Sequence, residues 1–187
     1  TAGRWTLPAV IFICALCWVL TYFLFPGSIA STVLEGSPSA WQPARDFLLP
    51  GWADRIVSFL IYATIGYFLI ELNNQFGIIR MRASMQTAIY FLLVTVCPKM
   101  HYLYTGDIVA LGFLISIYFL FKSYQQTQAA GYLFYSFFFI GAGSILFPQF
   151  TILSVLWLLE AYRFQSLTPR SFCGALLGWM LPYWMLF

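Results

Sequence analysis

The sequence has very little charge. Only 8% of its residues are Asp, Glu, Lys or Arg, whereas a water-facing domain uses about a quarter. Hydrophobic residues make up 61% of the chain, and its mean hydropathy is +0.83. These values exclude a soluble globular domain. The net charge of +3 comes from scattered Lys and Arg residues, which excludes a nucleic-acid-binding surface.

Residues that could bind a transition metal are also scarce. His101 is the single histidine, and all four cysteines, Cys14, Cys17, Cys97 and Cys173, fall within apolar runs. One imidazole and four thiols in apolar runs do not make a transition-metal site, so neither a metal nor a cofactor is expected. Cys14-x-x-Cys17 has redox spacing, but inside a predicted span it is more often a pair of small packing residues.

Long apolar runs fill most of the chain, and the longest, of about 21 residues, can cross the hydrocarbon of a bilayer. Their uniform apolarity favours helices over barrel strands, which alternate. The sequence therefore predicts an all-α, polytopic transmembrane bundle of about six or seven helices, with residues 1–187 as one transmembrane domain. The predicted segments are 5–25, 53–72, 85–98, 108–122, 132–147, 150–164 and 172–187.

Two features of the second half leave alternatives open. The stretch 132–164 is broken at Pro148-Gln149, and it forms either two full spans, which we favour, or a re-entrant pair. The last run stops at Phe187 after about 24 Å of helix, against roughly 30 Å of hydrocarbon. This abrupt end predicts that the chain is a fragment of a longer protein.

The basic residues predict the orientation. With the N-terminus in the cytoplasm, six of the nine Lys and Arg residues lie on the inner side and three on the outer side. The chain is therefore predicted to be a multi-pass protein of the bacterial inner membrane. The inner residues are Arg4, Arg80, Arg82, Lys122, Arg163 and Arg170, and the outer residues are Arg45, Arg55 and Lys99.

The outer loop 26–52 is the one long polar region. Prolines at 38, 43 and 50 limit any helix to short pieces, and part of 39–49 is predicted to lie flat at the membrane interface. The loop carries Glu35 and Asp46, which are the candidate catalytic residues. A carboxylate at this level could act as a general base toward an acceptor hydroxyl, although solvated loop acids are commonplace.

Three other residues are also predicted to lie at the outer side of the membrane and are candidates for substrate binding. Arg55, Lys99 and His101 could together hold a phosphate group. The alternative for Asp46 is an ordinary ion pair with Arg45 or Arg55, worth about 0–1 kcal/mol if exposed. Elsewhere, Gly174-x-x-x-Gly178 and, more weakly, Gly141-Ala-Gly-Ser predict close contacts between helices.

The second half of the chain also carries a set of turn residues within its apolar pattern. These are Asn73-Asn74, the Arg80/Arg82 loop, Ala88-Ile-Tyr-Phe-Leu-Leu93, Pro98, Phe147-Pro148, Ser166-Leu-Thr-Pro-Arg-Ser-Phe-Cys-Gly174 and Gly178-x-x-x-Pro182-Tyr183. Over about residues 70–187 this pattern resembles an uncharacterised multi-pass inner-membrane family of the Bacteroidetes, often labelled beta-carotene monooxygenase. The resemblance implies a location and a fold class. It does not imply that activity, because carotenoid-cleaving oxygenases hold iron with several histidines.

A second resemblance is to the membrane core of glycosyltransferases that use polyprenyl-phosphate sugars. These proteins begin with a span and an outer loop that carries an acidic residue, which Glu35 or Asp46 would match in kind. Two functions follow. One is a non-catalytic subunit or scaffold of a cell-envelope assembly, with the bilayer and other membrane proteins as partners. The other is a transferase that binds a polyprenyl-phosphate lipid. The scarcity of polar groups favours the first, and a transporter ranks third.

Overall fold

The computed structural model describes residues 6–24, 51–77, 83–97, 101, 103–124, 126 and 129–186. Within these residues the chain has seven helices and no strand, which confirms the predicted all-α class. The helices are α1 (Thr6–Leu24), α2 (Gly51–Phe76), α3 (Ala83–Val96), α4 (Thr105–Lys122), α5 (Ala130–Leu146), α6 (Phe150–Arg163) and α7 (Pro169–Leu186).

Local chemistry explains where two of these helices end. Gly77 follows α2 with a φ of +57°, and its N–H donates to the Asn73 carbonyl at 2.9 Å. Glycine adopts this left-handed conformation without a steric penalty, so it ends the helix. Phe147 follows α5 in an extended conformation because Pro148 disfavours helical backbone in the residue before it.

The helices divide into two compact units, and the division falls inside α4. The first unit is Thr1–Ile108, in which α3 packs against both α1 and α2. The second unit is Val109–Phe187, in which α5 packs against α6 and, most extensively, against α7.

Small residues bring the backbones of α5 and α7 into contact in the second unit. A Cβ built on Gly174 would lie 3.0 Å from the Ala130 carbonyl oxygen, and one built on Gly178 would collide with the Phe134 carbonyl oxygen. In the other direction, a Cβ on Gly141 would lie 2.6 Å from the Trp179 carbonyl oxygen. The helix contacts predicted at these glycines are therefore confirmed.

The interior of the second unit contains polar groups that hydrogen-bond one another. The indole Nε1 of Trp157 donates to the hydroxyl oxygens of Ser116 at 2.9 Å and Ser136 at 3.0 Å. The Ser116 hydroxyl also lies 2.9 Å from the Ser136 carbonyl oxygen, which accepts its proton. All three residues are buried. Polar groups removed from water must find such partners, so this cluster ties α4, α5 and α6 together.

Large apolar side chains are exposed along continuous helix faces. Their spacing of three and four residues defines one stripe on each of α1, α3 and α6. Interior serines with exterior apolar stripes reverse the arrangement of a soluble domain, and apolar surface of this extent marks a membrane or protein interface. The exposed residues are Phe12, Ile13, Leu16, Val19, Leu20 and Phe23 on α1, Met85, Ile89, Leu92, Leu93 and Val96 on α3, and Ile152, Val155, Leu156 and Leu159 on α6.

Two of the described helices are long and apolar enough to cross a membrane. They are Ala53–Phe76, within α2, and Thr105–Lys122, which is α4. Three shorter apolar helical stretches, Leu7–Thr21, Met85–Val96 and Ala130–Leu146, accompany them. This composition is consistent with association with a membrane.

Candidate functional site

The predicted site residues fall into two groups. Glu35, Asp46 and Lys99 lie outside the described residues, as does the predicted interfacial helix within 39–49. Arg55 and His101 are described, and both belong to the first unit. The site can therefore be built around these two side chains.

Arg55 lies near the start of α2, next to Asp54. Both side chains are buried: Arg55 is 8% exposed and Asp54 is 1% exposed. Asp54 is in the first helical turn, where a carboxylate is favoured by the partial positive charge of the helix N-terminus. Two adjacent charged residues removed from water at a helix start are unusual in a chain with so few charges.

His101 is almost completely enclosed. Its ring is 1% exposed and stacks on the indole of Trp18, with 4.4 Å between the ring centroids and 27° between the planes. Trp18 in turn makes edge contacts with Phe59 at 5.3 Å and Tyr62 at 5.9 Å. The imidazole therefore belongs to a fixed aromatic cluster.

The surroundings of His101 favour its neutral form. Burial lowers the pKa of the imidazole below its usual 6.5, and the positive charge of Arg55 lowers the pKa further. A hydrogen bond with the backbone of Thr95 acts in the opposite direction and raises the pKa of the imidazole. The structure thus brings Arg55 and His101 close enough to interact electrostatically, as their shared level in the sequence had suggested. His101 is therefore neutral near pH 7, and Arg55 is the cation of the site among the residues that the structure describes.

A groove of about 380 Å³ runs between α1 and α2 beside this cluster. The described residues that line it are apolar or aromatic apart from Arg55. Such a cavity is within the range of roughly 300–1,000 Å³ that ligand sites occupy. The lining residues are Ala15, Trp18, Val19, Phe23, Arg55, Ile56, Phe59 and Leu60.

A second polar contact of the first unit was not anticipated from the sequence. The Tyr62 hydroxyl donates to Asp107 Oδ1 at 2.6 Å, and the Tyr104 backbone N–H donates to Asp107 Oδ2 at 2.9 Å. The carboxylate therefore satisfies a backbone donor at the start of α4. It also joins α2 to the first turn of α4 through Tyr62. Asp107 could have been recognised as an acid in a first helical turn, but we predicted that the segment begins at 108. Tyr62 lies inside a uniformly apolar run that gives no such signal.

Within the described ranges, no three His, Cys, Asp or Glu side chains lie together as a metal-binding group. No family model, curated protein or solved structure matches the chain. What the site can do therefore follows from the geometry of its described residues: the Arg55 cation at one end of an apolar groove, beside the buried, neutral imidazole of His101.

Protonation of His101 is expected to destabilise the fold below pH 6.5. Because the folded pKa is lowered, the unfolded chain takes up a proton first, so the free energy of unfolding decreases as the pH falls from about 6.5 toward the folded pKa. The slope from this group is at most about 1.4 kcal/mol per pH unit. Unfolding titrations in detergent micelles between pH 7.5 and 5 measure it.

His101→Gln is the control for this titration, because glutamine has no charge to gain over the same range. The variant should lose less stability between pH 6.5 and 5.5 than the unmodified chain does. Identical pH profiles for the two proteins would show that His101 takes no part in the acid sensitivity.

Proposed function

We propose that this chain is a multi-pass protein of the bacterial inner membrane, with its N-terminus in the cytoplasm, that acts as a non-catalytic subunit or scaffold of a cell-envelope assembly. The observation that carries the proposal is the reversed polarity of the helices, with exposed apolar stripes and an interior that holds serines. Stretch 132–164 then forms two full spans. The resemblance to the multi-pass Bacteroidetes family supports the same location.

The hydrogen bonds that the polar side chains make with one another support a non-catalytic role. Ser116, Ser136 and Trp157 bond one another, and Tyr62 bonds Asp107. These contacts join helices. Groups used in this way stabilise a framework, and a framework with long apolar faces is suited to contact with lipid and with other membrane proteins.

Site-specific photo-crosslinking in native membranes tests the proposal. A photoreactive residue placed at exposed Leu93 or Ile152 should crosslink to one specific membrane protein at one of these positions and to lipid at the other. A probe at buried Leu133 is the matched control and should crosslink only within the chain. Crosslinks to lipid alone at every exposed position would contradict a scaffold role, and recovery of the chain in the carbonate-soluble fraction would contradict the membrane location.

The alternative function is a glycosyltransferase-like enzyme that uses a polyprenyl-phosphate-linked substrate. One observation favours it: Arg55 stands at the polar end of an apolar groove, and buried His101 lies near it. In this case Glu35 or Asp46 supplies the general base and Lys99 joins Arg55 in holding the phosphate. The substrate's chain would then occupy the groove.

Glu35→Gln and Asp46→Asn distinguish the two functions. For a scaffold, both variants should restore growth or envelope integrity to a deletion strain as fully as the unmodified gene does. For the transferase, loss of the general base should lower the activity by about 10²–10⁴-fold while the protein still inserts. Glu160→Gln, a surface acid of the second unit, is the matched control. Full complementation by both loop variants would eliminate the enzyme built on this loop.

A further inference from the structure

We propose that a groove between α6 and α7 binds one acyl chain of a bilayer phospholipid, and that the ester carbonyl of this chain accepts a hydrogen bond from the indole N–H of Trp179. This inference rests on the proposed membrane location and goes beyond the scaffold role. The occupant is a resident glycerophospholipid. It is neither a substrate nor a helix of a partner protein.

The groove consists of two adjoining cavities in the second unit. The first, of about 200 Å³, lies over Phe137 of α5, the helix that packs against both α6 and α7. The second, of about 260 Å³, continues toward the end of α7. Thr151 and Trp179 line both cavities, so the two form one elongated groove. Its lining includes the exposed apolar side chains of Val155 and Leu176, through which a lipid can enter from the bilayer.

The direction of the groove fits a lipid chain. The first cavity extends from Thr151 to Leu158 on α6 and from Trp179 back to Phe172 on α7, which is about 10 Å along each helix. Thr151 lies in the first turn of α6, next to the turn that contains Gln149. One end of the groove is therefore at a helix start, where ester groups lie, and the apolar part extends toward the hydrocarbon.

The chemistry of the groove matches an uncharged acceptor. The indole Nε1 of Trp179 is buried, and among the described residues it has no hydrogen-bond partner. A buried donor without an acceptor costs about 1–3 kcal/mol, so an occupant that supplies an oxygen is favoured. None of the described residues that line the two cavities is charged, so the groove does not select a phosphate or a free carboxylate. An ester carbonyl is an uncharged acceptor that is already joined to an apolar chain.

A helix of a partner protein matches the groove less well. A helix with its side chains is about 10–12 Å across, so a 10 Å length of it occupies roughly 800–1,100 Å³. That volume is several times the volume of the first cavity, and a helix could insert only side chains. Its backbone carbonyls already accept hydrogen bonds within the helix, so only a polar side chain at one position could bond Trp179.

The position of Trp179 is fixed before any lipid enters. Its ring packs against the ring of Tyr183, with 5.2 Å between the centroids, and the Tyr183 hydroxyl lies 2.7 Å from the Ser144 hydroxyl on α5. The Trp179 backbone is also held against α5, where a Cβ on Gly141 would lie 2.6 Å from its carbonyl oxygen. A donor that is held by its neighbours loses little conformational freedom on binding, which favours the complex.

Native mass spectrometry of the purified chain tests the proposal. The detergent-solubilised protein is mixed with equal amounts of an ester-linked phosphatidylcholine and its ether-linked analogue, which has the same headgroup and chain length but no ester carbonyl. We expect one ester-linked lipid to be retained about fivefold more, which corresponds to about 1 kcal/mol for one hydrogen bond. Trp179→Phe should abolish this preference. Trp184→Phe, at an exposed tryptophan farther along the same helix, is the matched control and should keep it.

A second pair of variants tests the acyl chain. Val155→Trp fills the groove and should reduce the retention of both lipids by at least fivefold. Ile152→Trp, at an exposed position of the same helix that is not part of the lining, should leave the retention unchanged. Circular dichroism checks that each variant is folded, and the Val155 pair keeps the test valid if Trp179→Phe does not fold.

Four outcomes would overturn the inference. They are equal retention of the two lipids, a preference that survives Trp179→Phe, unchanged retention in Val155→Trp, and crosslinking of a photoreactive residue at Leu176 to another protein in native membranes, which would assign the groove to a partner. If the chain fractionates with membranes but gives any of these results, only this inference fails. If it does not fractionate with membranes, the proposed function fails as well.

Discussion

Replacing Gly178 with leucine is expected to destabilise the second unit by about 3 kcal/mol or more. Its side chain would have to begin where the Phe134 carbonyl oxygen already lies. That oxygen belongs to the backbone of α5 and cannot rotate away, so α5 and α7 must separate along the closest helix contact of the unit. Overpacking of a buried site costs about 1–3 kcal/mol when side chains can adjust, and here the obstacle is backbone. Denaturant titration in micelles, followed by far-UV circular dichroism, measures the loss.

Gly131→Leu is the matched control for this substitution. Gly131 lies on α5, and a Cβ at this position would meet nothing within 4 Å. The same exchange there should change the free energy of unfolding by less than about 1 kcal/mol, and it should favour stability because leucine has the higher helix propensity. Equal losses for Gly178→Leu and Gly131→Leu would mean that the contact between α5 and α7 does not limit stability.

Asp107→Ala is expected to cost about 3 kcal/mol in the first unit. The substitution removes the acceptor of the Tyr62 hydroxyl and of the Tyr104 backbone N–H. A hydrogen bond to a charged group contributes about 1.5–3 kcal/mol, and the lost charge at the start of α4 adds about 0.3–1 kcal/mol. Because Tyr62 is buried, its hydroxyl would be left without a partner in an apolar environment. Thermal unfolding in micelles measures the effect.

A double-mutant cycle with Tyr62→Phe isolates the hydrogen bond between the two side chains. Tyr62→Phe alone should cost about 1.5–2 kcal/mol, and the double variant should cost clearly less than the sum of the two single changes. Glu160→Ala is the control, since Glu160 pairs with Arg163 at 3.9 Å on the surface and should contribute less than about 1 kcal/mol. Strict additivity in the cycle would show that the Tyr62–Asp107 contact carries no energy.

These two substitutions also bear on function. Each acts through packing or a hydrogen bond between helices, far in the sequence from the loop that holds Glu35 and Asp46. A scaffold should lose function in proportion to the stability that Gly178→Leu or Asp107→Ala removes. An enzyme built on the loop acids should instead lose activity in Glu35→Gln or Asp46→Asn without any loss of stability.

The sequence by itself determined that the chain is helical and that Gly174 and Gly178 lie at a close helix contact. An apolar run that must satisfy its backbone hydrogen bonds internally forms a helix, so 5–25 corresponds to Thr6–Leu24 and 150–164 to Phe150–Arg163. Two glycines four residues apart leave a flat strip on one face of a helix. Only another backbone can fill such a strip closely, which is why Gly174 and Gly178 predicted a close helix contact, and the structure shows that its partner is α5.

The tertiary structure alone decided which residues share a site. Tyr62 and Asp107 are 45 positions apart, Trp157 and Ser116 are 41 apart, and the stack of Trp18 on His101 joins two ends of one unit. In a soluble protein the polar face of a helix is the solvent-exposed face, so the sequence pattern shows which residues are buried. In this chain most positions of each helix are apolar, so the pattern does not separate exposed apolar side chains from buried ones. Only the packing of the helices makes that distinction.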